Sequence, residues 1–108
     1  MKLEELPDET IIYISGGISD VPNYLEVFKA AGDKLEALPN IFAVVSPTEC
    51  EPHRRSNHPY GKYMRAVVQA MMDCDAVYML AGWEQSVGAR LEHNLAAVCG
   101  LAIVYEER

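Results

Sequence analysis

One carboxylate in this chain lies where its helical neighbours are apolar. The residues one turn away from Glu92 are small or aliphatic: Gly88, Ala89, Leu95 and Ala96. A carboxylate on such a face is costly to bury unless it is partnered, and buried acids cluster at functional sites. The spacing therefore makes Glu92 a candidate functional group. The structural alternative is a glutamate at the edge of the apolar stripe, paired with Arg90 or Lys62.

Small and hydroxyl residues stand at two other places where a ligand could approach the backbone. Ser86 and Gly88 open the helix that carries Glu92, and free N–H groups at a helix start favour an anion. The alternative is that Ser86 is an ordinary N-cap. Gly16 and Gly17 follow a predicted strand, and they indicate either a loop held open for a ligand or a tight turn. They do not form G-x-G-x-x-G, so they do not specify a dinucleotide.

Other residue patterns are weaker signals. Cys50 and His53 have C-x-x-H spacing, but no second close pair follows, so we expect no zinc site and no metal. His53-Arg54-Arg55 forms a basic cluster that indicates a solvated loop or a phosphate contact. No serine lies in a G-x-S-x-G elbow, which disfavours Ser-His-Asp catalysis. Asp73 and Asp75 precede a predicted strand, so we assign them to a structural turn.

Hydrophobic patterning predicts the elements that must position these residues. Short, nearly continuous apolar runs predict buried strands at 10–15 and 41–45 and two further strands at 76–80 and 101–105. Helical stripes predict three helices: one after Pro22 with Tyr24, Phe28, Ala31, Leu35 and Leu38 inward, one at 60–72 with Met64, Val67, Val68 and Met71 inward, and one from Ser86 to about Cys99. Strands that alternate with helices pair in parallel through right-handed crossovers.

This order predicts an α/β fold, a small three-layer Rossmann- or flavodoxin-like domain with a parallel sheet and strand order 2-1-3-4. Ligands bind such sheets beyond the carboxyl ends of the strands, at the switch point, which here lies between strands one and three. The chain is expected to be a single domain over residues 1–108, with residues 1–9 as an acidic N-terminal arm.

Composition limits the partners. The chain has 108 residues and a net charge of −7, which argues against a nucleic-acid binder because phosphate neutralisation needs a basic face. No apolar run has the length of a membrane span, and the acidic N-terminus does not look like a signal peptide. Three cysteines cannot all pair within one chain, so we expect reduced thiols and a cytoplasmic location. The small core and the aromatic residues Tyr60, Tyr63 and Trp83, which we expect to be exposed, predict a homo-oligomer, most simply a homodimer.

Several segments together resemble a known family. They are I-Y-I-S-G-G-I at 12–18, V-V-S-P-T-E at 44–49, Y-M-R at 63–65 and C-D-A-V-Y-M-L-A-G-W-E-Q-S-V-G-A-R-L-E at 74–92. The chain resembles the nucleoside 2-deoxyribosyltransferase-like superfamily over nearly its whole length, and within it a group of short bacterial and phage proteins.

The resemblance implies an enzyme that acts on a small nucleoside or nucleotide without a cofactor. Glu92 would attack the anomeric carbon, and Tyr13 would line the pocket with it as the second catalytic residue. Ser86 and Gly88 would face the sugar 5′ end or its phosphate. The remaining substrate-binding residues would come from the loops after two strands: Gly16, Gly17, Ile18 and Trp83.

One position departs from the superfamily pattern. The superfamily carries an Asp on its middle helix, eight residues before the Asp of the C-D pair, and this chain has Val67 there. Valine cannot donate a proton, and Tyr63, one turn away, is a candidate substitute. The leading hypothesis is therefore an enzyme acting on an N-glycosidic bond. The alternatives are a non-catalytic nucleotide-binding protein that has lost the acid, and a flavin-binding electron carrier that has only the fold class in its favour.

Overall fold

The computed structural model describes residues 1–18, 21–48 and 60–107. Within these ranges four strands form one parallel sheet in the order β2-β1-β3-β4: β1 (Thr10–Ser15), β2 (Ile41–Val45), β3 (Ala76–Met79) and β4 (Ala102–Tyr105). The helices are α1 (Tyr24–Glu36), α2 (Tyr60–Met72) and α3 (Val87–Val98), with short 3₁₀ helices at Leu3–Glu5 and Trp83–Gln85. The predicted α/β class, parallel pairing and strand order are confirmed.

The sheet is buried at its centre and half-open at one edge. In β3 all four residues are buried, and in β1 only Ile11 is partly exposed. The prediction of a second fully buried strand is wrong for β2, which lies at the edge of the sheet and leaves Phe42 72% exposed. A continuous apolar run does not distinguish an edge strand from a central one, because neighbours far along the chain decide that position.

One face of the sheet is covered by α1. Phe28, Ala31 and Leu35 are buried against β1 and β3, as the predicted stripe requires, while Leu38 packs on this core after the helix has ended. The segment predicted as an acidic arm also contributes to this core, since Leu6 is only 4% exposed. The acidic composition of residues 1–9 gives no indication that Leu6 is buried.

The opposite face of the sheet is covered by α2 and α3. The buried residues of α2 are Tyr63, Val67 and Met71. The predicted inward stripe is therefore rotated, because Met64 and Val68 are only half-buried and Tyr63 takes the interior position. On α3 the buried residues are Ala89, Glu92 and Ala96, so the apolar face predicted from their spacing is confirmed.

The chain connections place a crevice between β1 and β3. Because β1 leads through α1 to β2 on one side, and β3 pairs with β1 on the other, the segments after β1 and β3 leave the sheet side by side. Asp75 lies at the opposite end of the sheet, where it exchanges hydrogen bonds with the backbone of Ile11, consistent with a structural turn. Within the ranges that the structure describes, no helix is both long and apolar enough to cross a bilayer.

Candidate functional site

Glu92 is held by a capped helix that starts at the carboxyl edge of the sheet. The Ser86 hydroxyl accepts a hydrogen bond from the Ala89 N–H at 3.2 Å, which fixes the first turn of α3. Glu92 comes about a turn and a half after the N-cap and is only 5% exposed. Because long helical side chains lean toward the helix N-terminus, its carboxylate lies alongside the first turn of α3.

Two hydroxyl groups from β1 hold this carboxylate. The Tyr13 hydroxyl donates to Glu92 Oε2 at 2.7 Å, and the Ser15 hydroxyl donates to Oε1 at 2.6 Å. Residues two apart on a strand point to the same face of the sheet, so Tyr13 and Ser15 both face α3. The alternative pairing of Glu92 with Arg90 or Lys62 is not found, since both cations are exposed.

The protonation of Glu92 reflects opposing effects. Burial raises the pKa of Glu92 above its usual range, and the hydrogen bonds from Ser15 and Tyr13 counter part of that rise by stabilising the carboxylate. An acid held in this way combines poor solvation with a fixed orientation. Both properties suit a group that reacts with, or stabilises, a developing positive charge.

A cavity of about 690 Å³ opens at the carboxyl edge of the sheet, beside the start of α3. We call it the edge cavity; it is lined by Gly17, Ile18, Val21, Val27, Tyr60, Leu80, Ala81, Gly82, Gln85, Ser86, Val87 and Gly88. Four predicted substrate-binding residues are brought together here: Gly17, Ile18, Ser86 and Gly88. Glu92 and Tyr13 are not part of this lining. Glu92 comes one helical turn after Gly88, and Tyr13 comes four residues before Gly17.

Gly16 and Gly88 are both close to other side chains, but a Cβ on each would meet a different neighbour. A Cβ on Gly16 would lie 2.8 Å from a side-chain carbon of Leu80, so Gly16 permits close packing between the loops after β1 and β3. It is buried and does not line the edge cavity. A Cβ on Gly88 would lie 3.0 Å from the Tyr60 hydroxyl. The space predicted for a ligand above Gly88 thus contains an exposed tyrosine.

Trp83 is not brought to the edge cavity. Its ring stacks on the His93 ring, with centroids 4.3 Å apart, and His93 Nε2 lies 2.7 Å from the Tyr105 hydroxyl. This cluster joins α3 to the end of β4. The predicted substrate-binding role of Trp83 therefore has no support in the cavity lining.

The residue directly after β4 also contacts the loop after β3, part of which lines the edge cavity. The carboxylate of Glu106, directly after β4, accepts a hydrogen bond from the Ala81 N–H at 2.8 Å, and its own N–H donates to the Met79 carbonyl. Ala81 lines the edge cavity. The last strand therefore fixes the backbone on which the cavity is built.

The sequence analysis does not name Ser15 or Tyr60 as site residues. Ser15 could have been found, because it lies two residues after Tyr13 and so shares its face of the sheet. Tyr60 was interpreted only as an exposed aromatic residue, since nothing in a sequence shows that the start of α2 approaches the start of α3.

Some predicted positions add nothing at this edge. Val67 is 1% exposed and packs in the core between α2 and the sheet, so it lines no part of the edge cavity. Cys50 and the His53-Arg54-Arg55 cluster lie outside the described residues. Among residues 1–18, 21–48 and 60–107, no three His, Cys, Asp or Glu side chains come together as metal ligands would.

Comparison with known proteins gives a family but no activity. None of the curated proteins compared with this chain matches it. Residues 10–105, which include the whole sheet and every site residue described above except Glu106, match the family model described as a domain of unknown function, DUF4406. The chain therefore belongs to the DUF4406 family.

Proposed function

We propose that this protein is an enzyme that breaks the N-glycosidic bond of a deoxynucleoside or a deoxynucleoside 5′-monophosphate, with Glu92 as the nucleophile. The observation that carries the proposal is a buried Glu92, held by two hydroxyl donors and placed one helical turn after Gly88, which lines the edge cavity. The reaction is either hydrolysis, with water as the acceptor, or transfer of the deoxyribosyl group to a second base.

The energetics favour a functional role for Glu92. Removing a carboxylate from water costs several kcal/mol, and replacing both partners of a buried hydrogen bond by apolar groups of the same shape can be nearly neutral or stabilising. The neighbours of Glu92 on α3 are already apolar. Glu92 satisfies the buried hydroxyls of Tyr13 and Ser15, but apolar residues at all three positions would need no such partners. The presence of this polar cluster therefore favours a functional role over packing alone.

The chemistry follows from the position of the carboxylate. As the C1′–N bond breaks, positive charge develops at the sugar, and a carboxylate below the ring can trap it as a glycosyl ester. Water or a second base then attacks C1′, and the ester electrons return to Glu92. Tyr13 and Ser15 keep both carboxylate oxygens oriented, which reduces the motion needed to reach the transition state.

The edge cavity suits such a ligand in size and surface. Its volume of about 690 Å³ falls in the range of roughly 300–1,000 Å³ that is usual for small-molecule sites. Most of its lining is aliphatic, which suits a base and the carbon face of a sugar. Ser86 and Gly88 lie at the positive end of the α3 dipole, where a 5′-phosphate would be stabilised. The resemblance to the deoxyribosyltransferase-like superfamily supports the same assignment.

A panel assay tests the proposal. The protein is incubated with the common deoxynucleosides and their 5′-monophosphates, and free base is separated and measured. For the best substrate, Glu92→Ala should slow base release at least ~10²-fold, because the covalent catalyst is lost.

Glu36→Ala is the matched control, since Glu36 is an exposed carboxylate at the last residue of α1. It should retain the activity of the unmodified protein. Base release that is undiminished in Glu92→Ala, or absent from the whole panel with the unmodified protein, would contradict the proposal.

The second candidate is a non-catalytic protein that binds the same ligands. The observation in its favour is Val67, an inert core residue at the position where the resembling superfamily carries an Asp. Calorimetry separates the two functions: this candidate requires saturable binding of a nucleotide from the panel with no release of base.

A further inference from the structure

Departure of a nucleobase from a sugar requires a proton, because the free base leaves poorly as an anion. We propose that Tyr60 is the general acid that supplies this proton, a role that rests on the proposed function. Its hydroxyl would face the leaving base from the side of the edge cavity opposite the loops after β1 and β3.

The lining of the edge cavity points to Tyr60. Among the described residues that line it, Tyr60 carries the one titratable side chain. The other polar side chains are Gln85, whose amide is not an acid, and Ser86, whose hydroxyl is engaged in capping α3. Tyrosine is one of the side chains that serve as general acids in enzymes.

The geometry brings the phenol close to Glu92. The Tyr60 oxygen lies 3.0 Å from the point that a Cβ of Gly88 would occupy. Residues four apart on a helix have Cβ atoms about 5–6 Å apart on one face, and Glu92 is four residues after Gly88. The Tyr60 hydroxyl therefore lies beside the face of α3 that carries Glu92, one helical turn before that residue.

Two further features fit the role. Tyr60 is 58% exposed, so its hydroxyl can meet a ligand without rearrangement of the core. Tyr63, the other tyrosine of α2, has its ring centroid 6.4 Å from that of Tyr60 but is buried and does not line the edge cavity. The structure thus assigns the proton donor to Tyr60 rather than to Tyr63.

The reaction balances with these groups and water. Tyr60 gives its proton to the base nitrogen as the electron pair of the C1′–N bond moves to the base, and Glu92 forms the new C1′–O bond. Water then attacks C1′, the ester electron pair returns to Glu92, and the water proton restores the Tyr60 hydroxyl. In the transfer reaction, the N–H of the incoming base restores that proton instead.

Two substrates with different leaving groups test this assignment. One is the best deoxynucleoside or monophosphate from the panel; the other is the corresponding p-nitrophenyl 2-deoxyriboside, whose nitrophenolate leaves without a proton. Tyr60→Phe should slow base release about 10²-fold or more and leave nitrophenolate release within about threefold of the unmodified rate, because a general acid matters only for the poor leaving group. Circular dichroism and melting temperature confirm that each variant is folded.

The outcomes separate this inference from the proposed function. Equal losses on the two substrates, or no loss on either, would overturn the role of Tyr60 while Glu92-dependent turnover remained. A selective loss in Tyr63→Phe instead of Tyr60→Phe would move the acid to Tyr63 and also overturn it. If the unmodified protein releases neither leaving group, the proposed function and the role of Tyr60 both fail.

Discussion

Ser15 controls how readily Glu92 can carry a charge. Its hydroxyl supports Oε1 at 2.6 Å inside a site where burial already raises the pKa of Glu92. Losing a hydrogen bond to a charged group costs about 1.5–3 kcal/mol, and each unit of pKa corresponds to about 1.4 kcal/mol. Ser15 is therefore a positioning residue, whose effect should appear in the pH dependence as well as in the rate.

We expect Ser15→Ala to raise the pKa of Glu92 further, because the variant loses a hydrogen bond that stabilises the carboxylate. Since the ionised form is the nucleophile, activity is lost as the pH falls through this pKa, and the variant should lose activity at a higher pH than the unmodified protein. The measurement is the acid limb of kcat/KM against pH. Ile14→Val is the control, because it trims the adjacent buried residue on the other face of β1. An unmoved acid limb in Ser15→Ala would contradict the prediction.

The loops after β1 and β3 can pack closely because Gly16 has no side chain. A Cβ there would meet Leu80 at 2.8 Å, and overpacking of this kind costs typically about 1–3 kcal/mol. We expect Gly16→Ala to lower the free energy of unfolding by that amount in a denaturant titration. Gly61→Ala is the matched control, since the nearest atom to its Cβ is a flexible arginine nitrogen at 3.8 Å. It should be neutral or stabilising by about 0.5–1 kcal/mol, and equal effects of the two changes would contradict the account.

Element boundaries were largely predictable because local signals mark them. Strands β1 and β2 begin and end where β-branched runs meet glycine, proline or polar residues, and α2 was predicted at its observed bounds. The buried face of α2 was less predictable. Apolar residues lie on several sides of this helix, and only its packing decides that Tyr63 rather than Met64 is buried. The candidate site divides in the same way: spacing on one helix reveals Glu92, whereas the contacts of Ser15 and Tyr60 join residues far apart in sequence.

At the scale of the molecule, charge and apolar surface are unevenly distributed. The chain carries a net charge of −7. Helices α2 and α3 nevertheless expose three cations, Lys62, Arg65 and Arg90, while the one acidic residue of these two helices, Glu92, is buried. Leu91 and Val98 are exposed on α3 two turns apart, and Val87, one turn before Leu91, extends this stripe to the edge cavity that it also lines. We expect a second copy of the chain to pack on this stripe.

We expect the protein to self-associate through the α3 stripe, most simply as a dimer. Light scattering at micromolar concentration should give about twice the 12.0 kDa of one chain. Leu91→Lys should shift the mass toward the monomer, because it places an unpaired charge in an apolar contact. Leu25→Lys is the control, since Leu25 is an exposed leucine on α1. A 12 kDa species for the unmodified protein would refute the expectation.

The hydrogen bond from the Ala81 N–H to Glu106 links the cavity to the final residues of the chain. A segment outside the helices and strands usually tolerates changes of sequence, because few contacts depend on it. In this protein the residue directly after β4 holds the backbone of Ala81, so Glu106→Ala would loosen that wall of the edge cavity without changing Glu92, Tyr13 or Ser15. We therefore expect related proteins with a different residue at this position to differ in the shape of the edge cavity, even where those three residues are all retained.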